Sequence, residues 1–256
     1  MAKKFIMECI EDYIIQKLNK DITIDDIVLW VGFTANGLSN AYSDIDLLLI
    51  TANPYKKRYT AYDGEVNIIS EIYNEMRYDV EIIDKMQLLQ KIGKINTYQN
   101  NTNNFHDLFL SEHDLDLICN IIHATCLKNA TEYKRIKNNI SNSFLCACIK
   151  TRYQGRFYNE LEDIRGFISQ KKYYNIAYII PRLIVSLLLV LLSHFDFAWI
   201  KEKWLLNYVE REISQSQFNI NKVKELYSYH FDPNNPDLKK LNHFLSKITD
   251  LMNKFA

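Results

Sequence analysis

The chain has 256 residues, enough for one large domain or two small ones, and at 48% hydrophobic and 24% charged it reads as a soluble globular protein. Its 31 Lys plus Arg balance 31 Asp plus Glu, so it lacks the basic excess with which proteins of long nucleic acids neutralise phosphate. The 5 cysteines follow a start, "MAKKFIMECIEDYIIQKL", that carries acidic residues in its apolar pattern and no signal-peptide core, which points to a reducing, cytoplasmic setting.

Along the chain, Phe5, Ile6, Cys9, Ile10, Tyr13, Ile14 and Leu18 recur at helical spacing and predict a first helix over 3–18. "IVLWVG" (27–32) is a short apolar run ending in glycine and predicts a buried strand. The segment 33–43, with Gly37, Ser39 and Asn40, has room for one short helix before a second strand over 45–51, which Asn53-Pro54 stops. Asp63-Gly64 signals a turn, and "YDVEII" (78–83) predicts a third strand with Asp79 and Glu81 on one face.

"KINTYQNNTNNF" (94–105) is the most polar and least periodic stretch and predicts a linker. Beyond it the pattern is helical to the end. Ser111 followed by Asp114 resembles a capping arrangement, and further helices are expected over 130–150, 157–170, 173–195, 200–213, 220–230 and 236–254. "LIVSLLLVLLSHF" (183–195) is short for a membrane span and reads as the central helix of a bundle. The expectation is an α+β chain: an α/β domain with a small mixed sheet over 1–100, then a helical bundle over 106–256. Cys146-Ala-Cys148, two apart on a helix, do not share a face and read as buried thiols.

"VGFTANGLSNAYSDIDLLLI" (31–50) carries the chemistry. Asp44 and Asp46 lie two apart on a strand, so they share a face, and two such charges side by side are unfavourable without a cation between them. Asp79 or Glu81, on a neighbouring strand, offers a third carboxylate. Hard divalent cations take carboxylate oxygens of this kind. Gly32 allows backbone to approach a polyphosphate, and Gly37 allows the following turn.

These residues resemble the signature of the DNA polymerase beta-like nucleotidyltransferases, Gly-Ser, a short spacer, then Asp-x-Asp followed by apolar residues. The resemblance covers 28–50 well and 78–83 loosely; antibiotic nucleotidyltransferases also follow this domain with a helical bundle. It implies a two-metal Mg²⁺ mechanism, a nucleoside triphosphate donor such as ATP, and Asp44 and Asp46 as ligands of both ions. In that family a later strand supplies the third carboxylate; "VEII" (80–83) fits its setting, making Glu81 the expected ligand and Asp79 the alternate. The donor's phosphates would meet Gly32, Phe33, Thr34 and Ser43. One position departs from the pattern: Phe33 stands where the family has the serine that touches the triphosphate, leaving Thr34 or Ser43 to make that contact.

Lys201, Lys203 and Trp204 in "WIKEKWLLNY" suit a triphosphate or a base, with Lys203 the chosen donor contact, although an amphipathic helix has the same pattern. Arg182 beside Pro181 is a similar case. Glu160, Glu162 and Asp163 are carboxylates that a bundle could present as a base, or a plain charged face. His123 reads as a bundle histidine, and His106 and His113 have no metal-ligand spacing. The expected activity is transfer of a nucleoside monophosphate to a hydroxyl of a small-molecule acceptor such as an antibiotic or natural product. The partners are then triphosphate and acceptor, without a membrane or long nucleic acid. The alternatives are a protein or tRNA-end acceptor, or a degenerate nucleotide-binding homologue without catalysis.

Overall fold

Strand β1 (Ile27–Val31) is buried along its whole length, and β2 (Ile45–Thr51) is buried everywhere except at Asp46. Continuous burial follows from "IVLWV" and "LLLI", runs with no polar side to turn to water. The two strands pair antiparallel, and the remaining strands extend the sheet on either side. The structure, a computed structural model, describes residues 2–38, 43–54, 61–63, 66–97, 110–213 and 220–255.

The sheet has six strands in the order β3-β4-β5-β2-β1-β6, where β3 is Ala61–Asp63, β4 Val66–Tyr73, β5 Met76–Asp84 and β6 Thr125–Lys128. It is mixed: β2 and β5 run parallel, and every other pair is antiparallel. β4 and β5 are joined through Asn74 and Glu75, both at positive φ (48° and 65°), the two-residue turn whose twist matches that of a hairpin. Asp63 pairs with Val66 on the neighbouring strand, while Gly64 of the predicted turn lies outside the described residues, as do Ser39, Asn40 and most of the predicted linker with His106.

Helix α1 (Ala2–Gln16) supplies Ile10 and Tyr13 to a core that also takes Val28, Trp30, Ile45, Leu47, Leu49, Tyr78, Val80 and Ile82 from one face of the sheet. Tyr13 stacks on Tyr78 with ring centroids 3.9 Å apart. Helix α3 (Lys85–Asn96) packs on β5, and α5 (Ala130–Asn138) packs on β1. The short α2 (Gly32–Ala35) lies between β1 and β2, with Gly37 at φ +74° just beyond it, a left-handed stop that costs glycine little.

Helix α4 (Glu112–His123) opens with the predicted cap. Ser111 N–H donates to Asp114 at 3.0 Å and Asp114 N–H donates to Ser111 Oγ at 3.1 Å. The other helices are α6 (Asn142–Ser169), α7 (Tyr173–His194), α8 (Leu205–Ile213), α9 (Ile220–Tyr227) and α10 (Leu238–Phe255). α7 is long and apolar enough to cross a membrane by length and composition. Most of it is nonetheless buried, against α6, α8, α9 and α10, in the manner of a core helix.

The chain is α+β, as expected, and it divides into two units. One comprises Met1–Asn96 with Leu117–Ile140, the other Thr97–Asp116 with Ser141–Ala256. The sequence reading ends the α/β unit near residue 100 and makes all that follows helical. In the structure the chain comes back, because β6 adds to the edge of β1 and α5 covers that strand. The predicted helices 130–150 and 157–170 are also redrawn. The break falls at 139–141, where Ser141 Oγ accepts from Phe144 N–H and starts α6 afresh, and α6 then runs on unbroken for 28 residues.

Candidate metal centre

Two registers build the centre. In the parallel pair of β2 and β5, Asp46 stands opposite Asp79, and in the antiparallel pair of β1 and β2, Val31 stands opposite Asp46. Asp44, two residues before Asp46, shares its side of the chain. Asp44, Asp46 and Asp79 each offer one carboxylate oxygen within 4.8 Å of the others, and all three are half-buried. Among the described residues these three are the group with the spacing to hold a metal ion.

The third member is Asp79, the alternate of the sequence reading. Glu81, the expected ligand, stands opposite Leu48 two register pairs further along and is not in the group. The two share a face of β5, and the register of β5 on β2 alone selects between them.

Gly32 closes the other side. Its φ of +75° is in the left-handed region, and a Cβ built on it would lie 2.2 Å from Asp46 Oδ2. Only a residue without a side chain lets the backbone come this near the carboxylate. Asn36 Nδ2 donates to Gly32 O at 2.7 Å and holds the turn.

Asp79 has cationic and polar company. Ser70, its register partner on β4, donates from Oγ to Asp79 Oδ1 at 2.5 Å. Arg77 makes a two-point contact, Nε to Oδ1 at 3.2 Å and Nη2 to Oδ2 at 2.9 Å. The arginine side chain is 59% exposed and the aspartate 22%.

The donor set fits a hard divalent ion. It is all carboxylate oxygen, which suits Mg²⁺ or Mn²⁺ and not a soft metal. Around one Mg²⁺, ligand oxygens stand about 3 Å apart when adjacent and about 4.2 Å apart when opposite. Oxygens within 4.8 Å of one another are compatible with ligands of one such ion.

The expected donor contacts are placed as follows. Phe33 is half-buried in α2, and Ser43 is half-buried directly before Asp44. Thr34 is 5% exposed, and its Oγ1 accepts from Trp30 Nε1 at 2.9 Å, which ties this side chain to the indole of a core residue. Lys203 is exposed and belongs to the second unit, as does Lys201, paired with Asp116 at 3.3 Å. Of the three bundle carboxylates, Glu162 and Asp163 are exposed, whereas Glu160 is buried and paired with Arg156 and Arg182, each at 3.0 Å. Cys146 and Cys148 are buried thiols, and burial pushes both up to about 12. Sequence reasoning missed Arg77 and Ser70; the spacing of two between Arg77 and Asp79, which puts them on one strand face, was the available signal for the first.

The chain matches no protein-family model and no curated protein sequence. Among solved structures it is similar to the crystal structure of a nucleotidyltransferase-like protein from Exiguobacterium sibiricum 255-15. That similarity is at 12% sequence identity and a TM-score of 0.40, and covers 99% of this chain and 75% of that one.

Proposed function

We propose that the chain is a divalent-metal-dependent nucleotidyltransferase that moves AMP from ATP onto a hydroxyl of a small-molecule acceptor, such as an antibiotic or natural product, and releases pyrophosphate. The observation that supports this reading is the convergence of Asp44, Asp46 and Asp79 beside the backbone of Gly32. Mg²⁺ held by these carboxylates would neutralise triphosphate charge and lower the pKa of the attacking hydroxyl. Asp44 and Asp46 are the principal ligands, and Asp79 takes the place that the sequence resemblance gave to Glu81. Gly32 and Ser43 flank the carboxylates and offer backbone and hydroxyl to the phosphates. In the reaction the acceptor oxygen bonds to the α-phosphorus, and the bond from that phosphorus to the bridging oxygen breaks with its electron pair. The hydroxyl proton passes to a carboxylate, the role that the sequence resemblance offers to Glu81, on the same face of β5 as Asp79.

A second reading, a nucleotide-binding homologue without catalysis, is favoured by two observations: Phe33 replaces the family serine, and Thr34 beside it is buried. Turnover of labelled ATP with Mg²⁺ separates the two, using a panel of hydroxyl-bearing small molecules with protein and tRNA-end acceptors alongside. Label transferred to a small molecule with pyrophosphate release, lost in Asp46→Asn, is the expected result. Transfer only to protein or tRNA replaces the acceptor class, and binding of metal–ATP without pyrophosphate release under any condition favours the second reading.

A further inference from the structure

We propose that Arg77 is a displaceable counter-charge of the metal centre: its guanidinium holds Asp79 until a divalent cation takes that carboxylate, and then pairs with the phosphate that arrives with the cation. The inference rests on the metal-centre reading above and extends it to how the centre is loaded.

Three aspartates within 4.8 Å of one another repel, and Arg77 sets its guanidinium on one of them by a two-point contact at 2.9 and 3.2 Å. Both oxygens of Asp79 are engaged by that guanidinium, Oδ1 also by Ser70. An ion that uses an Asp79 oxygen as ligand therefore competes with Arg77 for the same negative charge. The competition is mild, because the arginine side chain is 59% exposed and such pairs in water are weak. A freed guanidinium remains tethered two residues from Asp79, beside the cation, where planar N–H donors suit a phosphate oxygen. Cation and phosphate would then load together: each removes what opposes the other.

Arg77→Gln tests this without touching a ligand, and the side chain's exposure keeps the fold safe. The readouts are Mn²⁺ affinity of the full chain, by electron paramagnetic resonance at low ionic strength, alone and with a non-hydrolysable ATP analogue. The expected result is Mn²⁺ alone bound roughly two- to fivefold more tightly than by wild type, the factor set by an exposed ion pair. The enhancement of Mn²⁺ affinity by the analogue should fall by a similar factor, since binding linkage is reciprocal. An ion pair without influence on the centre would leave both quantities unchanged. Unchanged or weaker Mn²⁺ binding by the variant, or an undiminished enhancement, overturns the role of Arg77 while leaving the metal centre standing. Absence of Mn²⁺ binding in both proteins overturns the centre and this inference together.

Discussion

A methyl group on Gly32 would lie 2.2 Å from Asp46 Oδ2, so the backbone of one residue and the carboxylate of the other occupy a space with room for no side chain between them. The φ of +75° at Gly32 compounds the restriction, since an L-residue adopts it at a cost. Gly32→Ala must therefore move Asp46, shift the start of α2, or both. We expect a loss of about 1–3 kcal/mol in stability, the range for strained backbone, together with weakened Mn²⁺ binding. Thermal unfolding and a Mn²⁺ titration check it; a variant matching wild type in both would mean that Asp46 has slack the geometry does not suggest.

Asp46→Asn separates charge from shape. The variant keeps the size of the side chain and loses one of three mutually repelling charges, so without divalent cation its melting temperature should equal or exceed that of wild type. Added Mn²⁺ should raise the melting temperature of wild type, by the equivalent of about 2.7 kcal/mol at a hundredfold excess over Kd, and should barely raise that of the variant. Turnover, where measured, should fall by at least about 10²-fold. Equal thermal shifts with Mn²⁺ in both proteins would take Asp46 out of the centre.

The parts of this site that the sequence made legible are those encoded within one strand. Asp44 and Asp46 announce their shared face through spacing alone, and "LLLI" after them announces a buried strand. Choosing Asp79 over Glu81 needed the register of β5 on β2, which depends on how the whole sheet packs; both residues satisfy the same local pattern. β6 was unreadable for a related reason. Thr125–Lys128 is four half-buried residues between two helices, and only the open edge of β1 makes a strand of them. The polar linker was a sound signal of a change in packing, but composition does not reveal that the chain returns to the first unit at Leu117–Ile140.

Glu132 gives the first unit a pH signature. A hydrogen bond from Arg135, and then one from Lys85, holds its carboxyl down at about 2, below the ordinary 4.5. A depressed carboxylate contributes stability that is fully present above its unfolded value and is lost as pH falls through the folded one. The tie between Lys85 at the start of α3 and Glu132 in α5 should therefore weaken between about pH 4.5 and 2. The expected result is that Glu132→Gln is less stable than wild type at neutral pH and that the two curves converge on acidification. Parallel curves down to pH 2.5 would show that Glu132 titrates normally.

Glu160 is the last test, because it separates a structural carboxylate from a chemical one. Its side chain is 5% exposed, with Arg156 and Arg182 each 3.0 Å away and Ser186 Oγ donating at 3.3 Å, so α6 and α7 are joined through one buried acid. Removing one partner of a buried pair costs about 3–5 kcal/mol. Here the arginines are 26% and 43% exposed and can turn to water, which lowers the expected cost of Glu160→Ala to about 2–3 kcal/mol. Glu160→Gln should recover part of that loss, since its amide oxygen still accepts from an arginine. A base that takes the acceptor's proton would behave otherwise: Glu160→Gln would fold as well as wild type and lose turnover with its pH profile altered. The buried, doubly paired setting predicts the first pattern, with stability lowered and Mn²⁺ affinity of the other unit unchanged. Urea unfolding of both variants beside a Mn²⁺ titration distinguishes them, and wild-type stability in Glu160→Ala would show that the two arginines do not depend on this carboxylate.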